Sequence, residues 1–257
     1  MGECQSNTCC EADATRADYE AMATKTNPGM VSRTNNEARI VETSGPNEGR
    51  EGLRTIKFEN GSVYNGELKN GNIRDGYGVQ IWPDTSRYEG YWKDDQAHGY
   101  GKLIHADGDI YEGDWETDKA NGEGTYIHAN GTKFKGMWKD DKQHGEGIEK
   151  WPDGADYIGQ YYDGAKHGKG KLNFPDGSSY NGEFKMNEID GYGIYTWIDG
   201  RKYEGHWKDS KMEGKGKMTW ADGRIYDGLY KNEKRHGYGE YTWPDDRRYL
   251  GNWIGNK

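Results

Sequence analysis

The chain has 257 residues, a formal net charge of −9 and a mean hydropathy of −1.23. Val, Ile, Leu and Phe together number only 28, too few for an aliphatic core of ordinary size and close to the composition of a disordered chain. The acidic balance excludes nucleic acid as a partner, because its phosphates require a dense positive surface. No apolar run approaches the ~20 residues of a membrane-crossing helix.

Residues 1–50 contain no Trp and a single Tyr, Tyr19. Asp13 to Lys25 has the length of a short helix, but its apolar residues are mostly Ala and make no wide face. From Thr26 to Arg50 the composition is that of a linker, with Pro28-Gly29 and Gly45-Pro46 as breakers. Residues 1–50 therefore read as a disordered tail and linker, and residues 51–257 as a separate region.

The tail opens Met1-Gly2-Glu3-Cys4-Gln5-Ser6 and holds all three cysteines, Cys4, Cys9 and Cys10. Met-Gly-x-x-x-Ser is the pattern of N-myristoylation on Gly2, although Glu3 puts a charge beside the acceptor. One myristoyl chain holds a membrane only marginally, so anchoring needs a second signal. No polybasic patch provides it, since Arg16 is the first basic residue. Palmitoylation of Cys4, Cys9 and Cys10 would. The alternatives are an unmodified tail or metal-binding cysteines, and Cys-x4-Cys-Cys without a fourth ligand is poor zinc spacing. The tail has no apolar secretory segment, which points to a reducing compartment.

From residue 64 onward the chain repeats. Tyr-x-Gly-x-(aromatic or Leu) begins at Tyr64, Tyr88, Tyr111, Phe134, Tyr157, Tyr180, Tyr203, Tyr226 and Tyr249, nine starts spaced 24 and then 23 seven times. Such a period means one supersecondary unit stacked on copies of itself. In the copy from Tyr88 to Ile110, Tyr88, Gly90 and Trp92 alternate with Glu89 and Tyr91, which is the period of a strand with one ring-bearing face. Lys93 to His98 reads as a polar turn, and Gly99 to His105 as a second strand. Asp107-Gly108 turns the chain back.

Each complete copy also carries a Gly-x-Gly pair, as in Gly99/Gly101 and Gly145/Gly147. Interior strand glycines weaken a sheet unless something approaches the backbone closely. The rings of the 20 Tyr and 10 Trp supply that contact, so both glycines of each pair are expected beneath a ring. On that reading Gly145→Val would overpack the face, while His144, at a position other copies fill with Asn, Asp or Glu, would tolerate change. A third ring column follows at Trp82, His105, His128, Trp151, Phe174, Trp197, Trp220 and Trp243.

Tyr111-x-Gly113-x-Trp115, Gly122-x-Gly124 and Asn130-Gly131 resemble the membrane occupation and recognition nexus (MORN) repeat, and the likeness covers about residues 52–253. Thr85 and Asp246 replace the turn glycine, and Leu68 replaces the first aromatic. The resemblance implies a long antiparallel sheet and scaffold-type roles. The expected fold is all-β: an elongated single-layer antiparallel β-meander ribbon of stacked ~23-residue hairpins behind a disordered N-terminal tail. At ~4.8 Å per strand it would run roughly 80–90 Å. Its end strands, Gly52–Phe58 and Arg248–Trp253, would be open edges and a route to homo-oligomers.

No nucleophile elbow, phosphate loop or metal cluster appears, so no catalytic residue, metal or cofactor is expected. His98, His144, His167 and His236 share one repeat position with Asp75, Asn121, Asp190 and Glu213, which marks a polar turn and not a tuned base. Lys169, Lys171, Lys215 and Lys217 point away from the glycine face and form the candidate contact with anionic lipid headgroups. Acidic neighbours favour the plainer reading of a solvated mixed-charge surface. The sequence thus points to a non-enzymatic scaffold on the cytoplasmic leaflet of a membrane (plasma membrane, cell cortex or cilium), organising cortical or cytoskeletal protein partners. Two alternatives stand beside it: an axonemal or ciliary structural component without a lipid anchor, and a phosphoinositide-binding regulatory module of a lipid kinase.

Overall fold

The computed structural model describes residues 40–44 and 53–257. Among them every regular element is a strand. The first six are β1 (Ile40–Ser44), β2 (Arg54–Phe58), β3 (Val63–Lys69), β4 (Ile73–Ile81), β5 (Arg87–Lys93) and β6 (Gln96–Ile104). Next come β7 (Ile110–Glu116), β8 (Lys119–Ile127), β9 (Lys133–Lys139), β10 (Lys142–Lys150), β11 (Asp156–Tyr162) and β12 (Ala165–Asn173). The remainder are β13 (Ser179–Lys185), β14 (Glu188–Thr196), β15 (Lys202–Lys208), β16 (Lys211–Thr219), β17 (Ile225–Lys231), β18 (Lys234–Thr242) and β19 (Arg248–Trp253).

These residues fall into two compact units. The first holds the described residues up to Asp163 together with Lys171–Gly177, and the second holds Gly164–Gly170 with Ser178–Lys257, so β12 is shared between them. In the first unit β1 to β11 each pair antiparallel with the next strand in the chain. In the second, β13 to β19 do the same. Each unit is thus an open, single-layer meander, as the alternating pattern predicts.

One short strand, β1, falls within residues 1–50, the stretch that reads as tail and linker in the sequence. It lies antiparallel to β2, with Ile40 opposite Phe58 and Ser44 opposite Thr55. The edge expected to be open at Gly52–Phe58 is therefore covered, which gives partners to backbone groups that an end strand leaves unpaired.

Two turns of different chemistry close every repeat. The turn after the third ring column ends on a left-handed residue, normally glycine (Gly108, φ 93°), but Thr85 (φ 74°) and Asp246 (φ 63°) in two copies. An Asp or Asn side chain braces it, as where Asp84 Oδ1 accepts from the Ser86 N–H at 3.1 Å. The turn inside each hairpin is shorter than expected. Only Asp94 and Asp95 lie outside the strands, both at positive φ (47° and 67°), and β6 resumes at Gln96. That is the two-residue turn whose twist matches a hairpin. His98, placed in the turn by the sequence, lies inside the strand. The 24-residue first spacing is absorbed here, because the loop between paired Lys69 and Ile73 holds one more residue.

The Gly-x-Gly pair divides into two unlike positions. Along β5–β6 the register runs Gly90↔Gly101 and then Trp92↔Ala97, so Tyr91 alone faces residues 98–100. This bulge recurs in the other hairpins. The first glycine of each pair sits in it at a φ of 69–114°, a left-handed conformation that glycine adopts without steric cost. The second glycine lies under the ring. A Cβ on Gly147 would stand 2.5 Å from Phe134 Cε2, whereas one on Gly145 would meet only Met137 Cβ at 3.4 Å. The expectation that Gly145 lies on the ring-covered floor is thus corrected: backbone conformation requires that glycine, and Gly147 carries the ring.

The bulge also explains why the ring is a phenol. Tyr88 Oη donates to the carbonyl of Tyr91, the residue at the interruption, at 3.0 Å. Tyr64, Tyr111, Tyr157, Tyr180, Tyr203 and Tyr226 repeat the bond at 2.9–3.1 Å. Burial drives the pKa values of Tyr64, Tyr88, Tyr111, Tyr157 and Tyr203 well above the ordinary value, so these remain protonated donors. Phe134 is the one ring of the column that lacks the hydroxyl.

Two expectations follow. Gly147→Ala should lower stability by about 1–3 kcal/mol through overpacking, while Gly145→Asn, which tolerates positive φ, should cost clearly less in the same denaturant titration. Phe134→Tyr should add the missing bond to the Met137 carbonyl and raise stability by about 0.5–1.5 kcal/mol; an unchanged melting midpoint would remove the hydroxyl from the account.

Candidate interaction surface

The face with the rings is closed. In the first unit the rings run Tyr64, Trp92, Tyr88, Trp115, Tyr111, Trp138, Phe134, Tyr161 and Tyr157, with successive centroids 4.9–5.6 Å apart and planes at 81–90°. Each indole touches the leading ring of its own repeat, Tyr or in one case Phe134, and the tyrosine of the repeat before. Such edge-to-face pairs contribute about 0.5–1.5 kcal/mol each beyond their burial. Every indole N–H of this series also donates across the repeat boundary, as Trp92 Nε1 to the Gly78 carbonyl at 3.2 Å and Trp115 Nε1 to Gly101 at 3.1 Å.

A second tie joins neighbouring repeats at the hairpin tips, and the sequence reading missed it. The Asp118 N–H donates to the Ala97 carbonyl at 3.1 Å, and Asp118 Oδ1 accepts the Ala97 N–H at 2.8 Å. Asp141 does the same with Ala120 and Asp95 with Arg74, and in the second unit Asn187 does so with Lys166, Ser210 with Ile189 and Asn256 with Arg235. An Asp, Asn or Ser recurring every 23 residues was the available signal, but its partner lies one repeat back. Desolvation raises the carboxyl pKa values of Asp118 and Asp141, despite the N–H that each accepts.

Arg74 is another functional side chain that the sequence did not expose. It is buried, with its guanidinium 4.2 Å from the Trp92 ring centroid, Nε 3.1 Å from Asp95 Oδ1 and Nη2 donating to the Asp95 carbonyl at 2.7 Å. Near the other end of the chain Arg235 stacks at 4.2 Å on Trp253. Interior repeats place Ala97, Ala120, Gln143, Lys166, Ile189 and Met212 at this position.

One cluster resembles a catalytic constellation. Asp109 Oδ2 accepts from Tyr126 Oη at 2.7 Å and lies 3.1 Å from His128 Nδ1, while Oδ1 accepts the Ala129 N–H at 2.8 Å. Burial would raise the Asp109 pKa, but these donors outweigh it and hold the carboxyl below its ordinary value. Ser86, Thr132 and Ala155 occupy the same repeat position, which makes the cluster a cross-turn tie. No group of three or more metal-binding side chains occurs among the described residues.

The opposite face is open. Tyr77, Tyr91, Tyr100, Met137, Ile148 and Ile158 lie on it at 39–55% exposure. Across β6 to β11 it forms a groove of about 770 Å³, floored by Gly113, Gly124, Gly136 and Gly147 and lined by Tyr100, Met137, Ile148 and Ile158 with Glu112, Glu123, Glu146 and Lys135. Glu112 is occupied by Tyr100 Oη at 3.0 Å and Lys102 Nζ at 3.4 Å. Among the described residues Glu146 accepts from the neutral Gln160 amide alone, at 3.1 Å.

Lys169, Lys171, Lys215 and Lys217 are exposed. Lys217 stands opposite Glu204 on one side and Asp227 on the other, so this stretch is a mixed-charge surface. Gly2, Cys4, Cys9 and Cys10 lie outside the described residues.

Ring column, paired glycines and turn now stand in one geometry, and the MORN repeat profile matches it eight times: residues 64–87, 88–110, 111–133, 134–155, 157–179, 180–200, 203–223 and 226–246. The chain belongs to the MORN-repeat family. The ninth start, Tyr249, supplies the closing strand β19 beyond the last matched MORN repeat. No curated protein matches the chain. Among solved structures, the G-box domain of the microcephaly protein CPAP shares 14% identity at a TM-score of 0.40 over 79% of this chain and 100% of that one. The TCP domain of Drosophila melanogaster SAS-4, in complex with a proline-rich motif of Ana2, shares 14% at 0.34 over 82% and 96%. The TCP10 domain of Danio rerio CPAP with a STIL peptide shares 12% at 0.30 over 82% and 94%. At these values the likenesses carry no argument about what a MORN array does.

The raised Asp141 carboxyl gives a pH test. A folded-state pKa above the unfolded value means that stability falls as pH rises from about 4, the ordinary carboxyl value, through the folded pKa, because the native state holds the proton more tightly. Asp141→Asn keeps the acceptor, as Asn187 shows at 2.9 Å from the Lys166 nitrogen. Thermal melts should find the variant more stable than the parent near neutral pH and indistinguishable from it below about pH 4. Equal pH profiles would refute the desolvation.

Proposed function

We propose that this MORN-repeat protein is a non-enzymatic scaffold held at the cytoplasmic side of a membrane, where its array presents a binding surface to cortical or cytoskeletal proteins. The observation that carries the reading is the division of the sheet into two faces. One face is filled by its own rings. The other keeps Tyr100, Met137, Ile148 and Ile158 exposed beside a groove. Apolar side chains gathered in a groove and rimmed by polar ones mark an interaction site.

Anchoring rests on the tail. Gly2 in Met-Gly-x-x-x-Ser and Cys4, Cys9 and Cys10 within the same decapeptide provide two lipid signals, each too weak alone, since binding grows by about 0.8 kcal/mol per buried CH₂ and one myristoyl chain is marginal. The array adds little attraction to an anionic leaflet, because Lys215 and Lys217 share their surface with Glu204 and Asp227.

A fusion of residues 1–50 to a fluorescent reporter tests the anchor. The fusion should localise to membrane in a native cell, and Gly2→Ala, or Cys4, Cys9 and Cys10 together to Ser, should make it diffuse. A diffuse parent fusion, with full-length protein still at membrane or axoneme, would transfer targeting to the array and overturn the anchored reading.

A further inference from the structure

The outward groove of the first unit has an occupant that its chemistry specifies. Met137, Ile148 and Ile158 stand on the adjacent strands β9, β10 and β11, and register sets Ile148 directly opposite Ile158. On its other side Ile148 faces Lys135, and Met137 lies two residues further along β9, in the bulge, so the three side chains form an apolar cluster with Lys135 at its edge. Beside the cluster stand three carboxylates, Glu112, Glu123 and Glu146, against one ammonium, Lys135. Glu112 is engaged by Lys102. Glu123 faces Met137 across the strand pair, and among the described residues neither it nor Glu146 has an ion-pair partner within 4 Å.

We propose that this groove binds a basic, extended peptide segment of another protein, with apolar side chains on the residues that face the floor and Lys or Arg between them. The proposal rests on the scaffold reading of the array and names its partner class. From β6 to β11 the groove crosses five strand spacings, about 24 Å, which an extended chain covers in about seven residues. Alternate residues of that chain point to the floor, where three or four meet Tyr100, Met137, Ile148 and Ile158, and the long Lys or Arg side chains between them curl back to the carboxylate rim. Charge excludes the other occupants. A second copy of this chain carries a net charge of −9, and residues 1–50 carry more acidic than basic side chains, so each would bring net like charge to Glu123 and Glu146.

The test uses the full-length chain and a fluorescein-labelled peptide of about eight residues alternating lysine with leucine, read by anisotropy. Two comparison peptides alternate glutamate with leucine and lysine with serine. The lysine–leucine peptide should bind at least about ten-fold tighter than either, since each lacks one of the two complementary features. Met137→Ser with Ile148→Ser should weaken it by a similar factor of about ten through lost apolar contact. Glu123→Gln with Glu146→Gln should weaken it and flatten its salt dependence. Leu250→Ser, on the outward face of β19 and 59% exposed in the parent, should change nothing, and melting curves will show that each variant is folded. Equal affinity for the three peptides, or unchanged binding by the Met137/Ile148 variant, or an equal loss in Leu250→Ser, would overturn the proposal. None of these readings depends on acylation, so a failed tail fusion and a failed peptide titration remain distinct results.

Discussion

A phenol ring laid against the backbone of two neighbouring strands is the contact on which this protein depends. It requires that both strands lack a side chain at the crossing, which Gly90 and Gly101 provide for Tyr88, and Gly113 and Gly124 for Tyr111. It also requires a polar end-point for the hydroxyl, which the bulge supplies as the carbonyl of Tyr91 or Asp114. The ring therefore buries apolar area against the sheet and satisfies a backbone acceptor at the one place where the ladder breaks. A single-layer sheet has no opposing layer to cover it. Here the sheet's own side chains close one face, which is how a chain with 28 Val, Ile, Leu and Phe residues folds at all.

Because each ring also touches the next repeat, stability is a property of pairs of repeats. Trp115 meets Tyr88 and Tyr111, and its indole N–H bonds to the Gly101 carbonyl. Asp118 fastens the same two repeats from the hairpin tip. Arrays of this kind face a problem at their ends, where a neighbour is missing. Arg74 and Arg235 answer it with guanidinium groups stacked on Trp92 and Trp253, since the flat cation covers an indole face and satisfies nearby carbonyls at once. β1 serves the first edge in a different way, by pairing with the backbone of β2.

What the sequence made legible was local. Period-two alternation in Tyr88-Glu89-Gly90-Tyr91-Trp92 places the rings on one face without reference to any partner, and Asp107-Gly108 announces its turn through glycine's tolerance of positive φ. The two glycines of Gly99-Tyr100-Gly101 look alike in that pattern, because alternation assigns both to one face only if the strand is regular. The bulge breaks that assumption, and its cause lies in the opposite strand. Asp118 and Arg74 were invisible for the same reason, since their partners are 21 residues away. β1 had a faint signal in the Ile40-Val41 pair, but a five-residue strand without a ring or paired glycines depends on β2 and cannot be read alone. The outward surface was legible as a set of positions, while the groove across β6 to β11 depends on which strands stand side by side.

The same geometry separates what every repeat must keep from what each is free to change. Tyrosine, the ring-covered glycines and the turn residues are fixed by contacts within and between repeats. The residue between the paired glycines faces outward and meets none of those constraints. Across the chain it is Tyr77, Tyr100, Glu123, Glu146, Lys169, Tyr192, Lys215 and Tyr238. Its character passes from aromatic through acidic to mixed basic and aromatic without disturbing the fold beneath it. In the first unit the acidic pair stands beside the apolar cluster of Met137, Ile148 and Ile158. Recognition on such an array is therefore set by the order in which repeats follow one another, since a groove of this character arises only where acidic and apolar outward positions fall on neighbouring strands.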